Sequence, residues 1–460
     1  MTRIADRRGT VRRGPAARGA GLLAALVLLA PPLAGQEPVP ARAGVTEADP
    51  IETVTLEEAI RRATSFDPVY IQALGRIDNA EWARTAAITR FVLPSIQATG
   101  SFTRFSSESF NIGTAELTSQ LATASLQATL PLFEGGGRFA ELGRSRAELE
   151  ASEAGEVQAL YQTALDTETD FYGVLSGREL VEVARGRVRR AEEQLAVARA
   201  RVTSGAAVQT DSLQLLLELT RARVDLLREE SALRVAQFQL GRRVGAPGPV
   251  DAATREAYVA RPLPVREEEA IVEALSTGPD YQTAAAEERA AQSALSIERS
   301  AYLPQVNLSG QISSFDDRLF PDATVRSSAG ISVSIPVWNG AQREIQISQA
   351  RVARDVARAR REDIERGVRR DVVQAYSAYE TARASVELSE QAVSVATENL
   401  RVQESRYRGG ATTILDLVTA QVDLADAEAG LVQARYATRL ALAGLEALLG
   451  RRLFPDRVEP

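Results

Sequence analysis

The chain has no cysteine and no histidine in its 460 residues. That excludes disulfides, thiolate and imidazole metal sites, cysteine nucleophiles and histidine-based triads together. Lysine is missing too, so every basic residue is arginine. Aromatics make up only 5%, too few for the platforms a glycosidase needs. No run of about 18 apolar residues occurs, so no membrane-spanning helix is expected. If this chain crosses a membrane, it does so with strands. No cofactor and no metal site is expected.

What is present begins with a basic, then apolar, N-terminus. Arg3, Arg7, Arg8, Arg12, Arg13 and Arg18 precede "GLLAALVLLA" at Gly21–Ala30. This apolar run is too short to span a bilayer and reads as the core of an export signal over 1–35. Cleavage is expected near Ala34 or Gly35, with Ala41-Arg42-Ala43 as a second small-x-small site. Six Arg and one Asp leave with the signal, taking the formal net charge from −7 to about −12. An acidic exported chain is a poor nucleic-acid binder. With no cysteine behind the apolar run, no lipid anchor is expected there.

The rest of the chain repeats itself. "LPLFEGGGR" starts at Leu130 and "IPVWNGAQR" at Ile335, 205 residues on. Gly205 and Gly410 share that spacing, as do Asp211 and Asp416. "VLPSIQATG" at Val92 is echoed by "YLPQVNLSG" at Tyr302. The expected domains are a first repeat over 36–245, a proline-rich linker over 246–269 and a second repeat over 270–460. Each repeat reads helix, strand, strand, long helix, glycine-containing tip, return helix.

The strands are expected near 95–105, 119–131, 305–313 and 325–336. Each alternates with period two. Ile96, Ala98 and Phe102 oppose Gln97, Thr99 and Ser101; Leu126, Ala128 and Leu130 oppose Ser125, Gln127 and Thr129. Val306, Leu308 and Ile312 oppose Asn307, Ser309 and Gln311, and Ile331, Val333 and Ile335 oppose Ser332 and Ser334. One such strand fits a soluble sheet equally well. Four of membrane length, with Ser, Thr and Gln opposite the apolar face, favour a lipid-facing barrel around a wet lumen. Phe91, Phe133, Tyr302 and Trp338 stand where an interfacial aromatic girdle belongs. The connections Ser106–Leu117 and Ser314–Thr324 are expected to be loops facing outside.

Pro131 and Pro336 are expected to end strands, since proline lacks the ladder N–H. Gly135, Gly136 and Gly340 then let the backbone turn into a helix. Pro94 and Pro304 mark the reverse change, because the residue before proline avoids helical geometry. A phosphate loop is the weaker reading of the glycines, as no Gly-Lys-Ser/Thr follows.

The long helix 138–203 is expected to break near "FYGVLSG" at Phe171–Gly177. Beyond it, Val181, Ala184, Val188, Ala191, Leu195, Ala198 and Val202 form a heptad seam. Val386, Ser389, Val393, Ala396, Leu400, Gln403 and Tyr407 repeat it, and the return helix offers Val418, Val422, Ala425, Ala429, Val432 and Tyr436. Each repeat therefore forms an antiparallel helical hairpin. The fold class is mainly α with a small β part. Four strands cannot close a barrel, and open edges are not tolerated in lipid. Two copies give eight strands and three give twelve, and physics alone does not choose.

The chain resembles the TolC-like outer-membrane efflux proteins. The resemblance rests on the duplicated pattern, the two Pro/Gly junctions and the tips "VTSGAAVQTDSL" and "YRGGATTILDLV". It implies a homotrimer with a twelve-stranded barrel continued by a periplasmic helical barrel. It also implies a passive duct whose partners are a periplasmic adaptor and an inner-membrane pump. Asp416, Asp211, Thr210 and Tyr407 match the family's periplasmic gate; Gly205, Ala206, Gly410 and Ala411 match the tips that dock the adaptor. Thr412 stands where the family's latch arginine would be, and Thr419 where its second aspartate would be. The plain alternative for Asp211 and Asp416 is helix capping, and for Gly205 and Gly410 left-handed C-caps.

Two rival functions remain at this stage. Paired carboxylates such as Glu229-Glu230 suggest an acid–base enzyme, but they lie in charge runs that read as solvated helix faces. A trimeric coiled-coil adhesin would keep its strands at one end of the chain; here strand pairs interrupt helices at two internal sites. The exported cargo is not written in the sequence, although a single methionine and no histidine argue against a metal-specific lumen.

Overall fold

The computed structural model describes residues 51–111, 116–253, 261–316 and 324–454. The signal expected over 1–35 lies outside the described residues.

Two helices enter the first repeat: α1 (Leu56–Phe66) and α2 (Pro68–Thr89). Thr55 caps α1 by accepting from the Glu58 N–H, and Asp67 caps α2 by accepting from the Val69 N–H. Pro68 occupies the first turn of α2, where no N–H is needed. Strands β2 (Ser95–Asn111) and β3 (Glu116–Glu134) follow, then α3 (Gly137–Thr203) and the return helix α4 (Gln209–Arg243). The second repeat has α5 (Glu267–Ala274), α6 (Pro279–Ser300), β5 (Gln305–Asp316), β6 (Thr324–Ser334), α7 (Gln342–Arg408) and α8 (Ile414–Leu449). The mainly helical, twice-repeated order matches the expected fold class.

The four long strands form one antiparallel sheet in the order β2-β3-β5-β6. Its register sorts the side chains as the alternation requires. Gln97, Gln127, Gln311 and Ser328 form one cross-strand row, and Thr99, Ser125, Ser313 and Arg326 another. The hydroxyls of Thr99 and Ser125 lie 3.0 Å apart, and those of Ser101 and Thr123 lie 2.7 Å apart. The opposite face carries the rows Ala98–Leu126–Ile312 and Leu130–Leu308–Ile331. Ile96, Ile312 and Ile331 are all more than half exposed in the single chain, so this apolar face lacks a partner within it. Strands β2 and β6 leave both sheet edges open.

The structure corrects several expectations. The segment Ser106–Leu117 is not one loop: β2 runs to Asn111 and β3 starts at Glu116, with a register shift between Arg104 and Ser109. Likewise β5 runs to Asp316 and β6 starts at Thr324, so Ser314–Asp316 is strand and not loop. Pro131 does not end its strand. It pairs with Asn307 and the ladder resumes at Phe133 after an irregularity, so the missing N–H is absorbed by a bulge. On the other side β6 stops at Ser334, before Pro336. Helix α3 is unbroken over its 67 residues, about 100 Å at 1.5 Å per residue. Gly177 does not interrupt it; the helix runs straight through beside Leu233 of α4.

The segment 246–269 also contains structure. A short strand β4 (Val250–Ala252) pairs in parallel with β1 (Glu52–Val54). This pair joins Phe171, Tyr172, Val174, Leu175 and Leu240 in a core at the waist of the first hairpin. Its counterpart in the second repeat gathers Ala270 and Ala274 of α5 against Val368, Val372 and Tyr379 of α7 and Leu442, Leu445 and Leu449 of α8.

A third core lies near the tips and joins the two hairpins. Ala191, Leu195 and Ala198 of α3 meet Leu215 and Leu219 of α4, Ala396, Leu400 and Tyr407 of α7, and Ile414, Leu417, Ala420 and Leu424 of α8. The α3 and α7 seams are those expected from the heptads. On α8 the deeper positions are Leu417, Ala420 and Leu424; Val418 and Val422 are only half-buried. The second hairpin packs against two partners, which widens and rotates its buried stripe.

Candidate functional site

Two regions carry the residues singled out in the sequence, the strand–helix junctions and the hairpin tips. At the first junction Gly135 and Gly136 have φ of 60° and 82°. Gly135 is doubly constrained, since a Cβ there would run into the Ser300 carbonyl and the Leu303 side chain at the end of α6. At the second, Gly340 has φ of 67°, and Ala341 has φ of 64°, a left-handed conformation uncommon without glycine. Pro94 and Pro304 each stand immediately before a strand, at Ser95 and Gln305.

Both junctions are closed by an arginine, the last residue of each repeated junction motif. Arg138 donates through Nη1 to the Pro131 carbonyl at 2.5 Å and through Nη2 to the Arg90 carbonyl at 2.5 Å. Its guanidinium lies 4.3 Å from the Phe91 ring centroid. Arg343, 205 residues on, donates to the Pro336 carbonyl at 2.6 Å and the Val337 carbonyl at 3.2 Å, and lies 4.5 Å from the Tyr302 ring. A forked cation thus collects the carbonyls left free where sheet hydrogen bonding stops. The shared spacing was the signal available in the sequence. Phe91, Phe133, Tyr302 and Trp338 all lie at this end of the sheet, with Phe139 beside Phe91 at 5.2 Å.

The tips are near copies of each other. Gly205 and Gly410 have φ of 78° and 76°. The Ala206 N–H donates to the Arg201 carbonyl at 2.8 Å, and the Ala411 N–H to the Arg406 carbonyl at 2.8 Å. Both are Schellman-type helix ends, so the C-cap expectation for the glycines fits. Ala206, Gly205, Gly410 and Ala411 are exposed on the tips.

The expected gate residues separate into two groups. Tyr407 is buried, and its hydroxyl donates to Asp211 Oδ2 at 3.4 Å, from the second hairpin to the first. Burial, then the Asp211 charge, raises the Tyr407 pKa, so the hydroxyl keeps its proton and remains a donor. Asp416 is not part of that pair. It is exposed and forms a capping box with Thr413: its Oδ2 accepts from the Thr413 N–H at 3.1 Å, while the Asp416 N–H donates to Thr413 Oγ1 at 3.3 Å. Thr413 Oγ1 at 2.7 Å and Thr412 Oγ1 at 2.8 Å also face the carboxylate. Hydrogen bonds from the Thr413 side chain first, then Thr412 and the Thr413 backbone, lower the Asp416 pKa. The cap is therefore present above the ordinary carboxylate pKa and is lost as pH falls through the lowered value. Thr210 is exposed at the start of α4.

Further polar clasps tie the hairpins together. Gln194 Nε2 donates to Glu404 Oε1 at 2.8 Å, Arg190 pairs with Glu428 at 2.9 Å, and the Tyr436 hydroxyl donates to Glu179 at 2.7 Å. No local feature of the sequence marks these pairs, whose members are more than 200 residues apart. Among the described residues no cluster suited to a metal ion occurs, and no helix is long and apolar enough to cross a membrane.

A sheet of membrane-length strands with a polar and an apolar face, continued by two 67-residue helices that turn back at capped tips, defines a class: subunits of an outer-membrane duct with a long helical extension. The family model for outer membrane efflux proteins matches residues 72–246 and 270–451. The chain is 27% identical over 298 residues to the outer membrane efflux protein BepC of Brucella suis, spanning 64% of either protein. It is 26% identical over 345 residues to the pyoverdine export outer membrane protein OpmQ of Pseudomonas aeruginosa, spanning 73% of this chain and 71% of that one. Among solved structures, the outer membrane protein VceC of Vibrio cholerae superposes with a TM-score of 0.71 at 19% identity, covering 87% of this chain and 97% of VceC. The chain belongs to the outer membrane efflux protein family. It is an outer-membrane channel protein with a periplasmic helical domain, and not an enzyme.

Proposed function

We propose that three copies of this chain form a passive export duct that works with a periplasmic adaptor and an inner-membrane pump. The observation that carries it is the four-stranded sheet with two open edges and an unpartnered apolar face. Lipid tolerates no open edge, so the sheet must close with other copies, and three give twelve strands. The family favours three over two. The signal over 1–35 is removed on export, and the two repeats, 36–245 and 270–460, descend from one duplicated unit. Gly205, Ala206, Gly410 and Ala411 at the exposed tips are the surface offered to the adaptor.

Two measurements test the assembly. Light scattering in mild detergent is expected to give about three times the 49.6 kDa chain mass, less the signal. A folded, membrane-inserted monomer would refute the shared barrel. For topology, the native chain has no cysteine to interfere. Glu108→Cys, toward the far end of β2, is expected to react with an impermeant thiol reagent in intact cells. Thr210→Cys, at a tip, should react only after lysis. The reverse pattern would overturn the orientation.

In the closed trimer, Asp416 and Asp211 each supply one carboxylate per copy near the periplasmic end, and such rings favour cations. Asp416 also caps a helix, so Asp416→Ala mixes two effects. Asp416→Asn keeps an oxygen for the cap and removes only the charge. Planar-bilayer recordings of that variant are expected to show weaker block by divalent cations and a reduced cation preference, with the trimer still assembled. Wild-type block and selectivity would leave Asp416 as a cap alone. Tyr407→Phe is expected to raise resting conductance by removing the bond to Asp211.

A further inference from the structure

The polar face of the sheet carries almost no charge. Between the register shift after Arg104 and the bulge at Pro131 it is made of the odd positions 95–103 of β2, 121–129 of β3 and 305–315 of β5, and of the even positions 324–334 of β6. Ser, Thr, Gln and Asn fill most of them, and Leu121 and Phe315 bring no charge either. Among the described residues of this face the only ionisable side chain is Arg326, exposed on β6 in the row Thr99–Ser125–Ser313–Arg326. Glu134, at the helix-side end of β3, is already paired with Arg90 at 3.3 Å. The other arginine in the four strands, Arg104, belongs to the opposite face with Ile96 and Phe102.

A lone cation on an uncharged wall sets the field there. In a closed barrel every copy presents the same face, so the wall repeats this pattern and adds no counter-ion of its own. Strand β2, whose open edge an adjoining copy would offer to the open edge of β6, brings Ser95, Gln97, Thr99, Ser101 and Thr103 to this face and no carboxylate. Arg326 stands eight residues before Ser334, about 27 Å along the strand at 3.4 Å per residue, and so lies in the outer half of the sheet. Guanidinium groups facing one another across a lumen repel, and an anion between them relieves that repulsion. Their forked donors fit a carboxylate, sulfonate or phosphate group. The tips have the opposite sign, with Asp211 and Asp416.

We propose that Arg326 is the selectivity residue of the barrel: in the assembled duct its copies form a ring of positive charge that concentrates anionic solutes in the outer half and disfavours cationic ones. The inference rests on the channel reading above and goes beyond it by naming the charge class of solute that the barrel favours. A solute on its way out meets carboxylates at the tips first and guanidinium groups last, so the two ends of the duct sort by opposite sign.

The test is the rate of a thiol reaction on a Ser328→Cys chain, the native sequence having no cysteine. Position 328 shares the strand and the face of Arg326, two residues and about 7 Å away. Heat-resistant trimers in neutral detergent at low salt are treated with an anionic or a cationic methanethiosulfonate, and each rate is divided by that of the same reagent with a free thiol in solution. The anionic reagent is expected to be favoured roughly tenfold or more, the scale of electrostatic concentration in a charged cleft. High salt should remove the preference. Arg326→Gln should bring the ratio to about one or below, Arg326→Lys should keep most of it, and Arg326→Glu should reverse it. Arg104→Gln, on the other face, should leave it unchanged. A reactive thiol without an anionic preference at low salt, or a preference that survives Arg326→Gln, would overturn the ring and leave the channel reading intact. The first measurement keeps Arg326 itself, so it decides even if no Arg326 variant assembles. A trimer in which Ser328→Cys reacts with neither reagent has a dry polar face, and then the channel reading itself fails.

Discussion

Arg452→Ala is expected to destabilise the folded protein by about 3–5 kcal/mol, the usual result of removing one partner from a buried ion pair. Glu168 of α3 and Glu446 of α8 are both fully buried. Arg452 Nη1 lies 2.8 Å from Glu168 Oε1 and 2.7 Å from Glu446 Oε2. The Leu453 N–H donates to the other Glu446 oxygen at 3.0 Å. One arginine just beyond α8 thus compensates two carboxylates from different repeats. Without it both carboxylates stay in a low-dielectric interior that no longer holds the cation between them. The temperature at which the trimer dissociates should fall sharply. A triple variant, Glu168→Leu, Glu446→Leu and Arg452→Met, should recover much of the loss, because apolar groups of similar size need no partner. The adjacent Arg451 provides a control. Its pair with Glu273 is partly exposed, so Arg451→Ala should cost no more than about 1 kcal/mol. Similar losses for Arg451→Ala and Arg452→Ala would contradict the assignment of burial as the cause.

That cluster shows what kind of information the sequence carries on its face. Features with a short period were legible. Strand alternation around Leu126 and Gln127 placed side chains on the correct faces, and the 3-4 spacing from Val181 to Val202 marked a buried seam. Features set by one residue's backbone chemistry were half legible. The glycines at 135, 136, 205, 340 and 410 do adopt left-handed conformations. Pro131, however, does not end its strand as proline chemistry suggests: the sheet continues past it because β5 supplies a partner on the far side of the bulge. The expected break at Phe171–Gly177 failed for a related reason. A glycine inside a helix costs only about 1 kcal/mol, and the burial of Phe171, Val174, Leu175 and Val181 on the same stretch of α3 outweighs that. Contacts between distant segments left no local trace. The pairing of β1 with β4 turns part of a proline-rich segment into structure. The clasps of Gln194, Arg190 and Arg452 join residues chosen only by the fold. For Arg138 and Arg343 the repeat offered a hint: a cation held at one position in both copies of a junction calls for a structural explanation.

The largest effect expected in the sheet is a difference between neighbours, Leu126→Arg against Gln127→Arg. The two residues are adjacent on β3 and point to opposite faces. Leu126 pairs with Ala98 and Ile312 on the apolar face, and Gln127 pairs with Gln97 and Gln311 on the polar one. Both lie well inside the strand, away from the aromatic girdle at its helix end. If the apolar face meets lipid, an arginine at 126 enters hydrocarbon near the middle of the bilayer and costs about 2–4 kcal/mol. An arginine at 127 enters water in the lumen and costs little. Folding into lipid vesicles under increasing urea should therefore separate the variants, with Leu126→Arg losing its heat-resistant trimer at much lower urea. Gln127→Arg should fold like the parent and reveal itself only in conductance. A trimer places three added cations on the barrel wall at the level of the glutamine row, so the current should shift toward anions at low salt and return as screening increases. Equal folding of the two variants would mean that neither face meets lipid and that the sheet packs in some other way. Selective failure of Gln127→Arg would mean that the Ser, Thr and Gln rows face a packed interior instead of a water-filled duct.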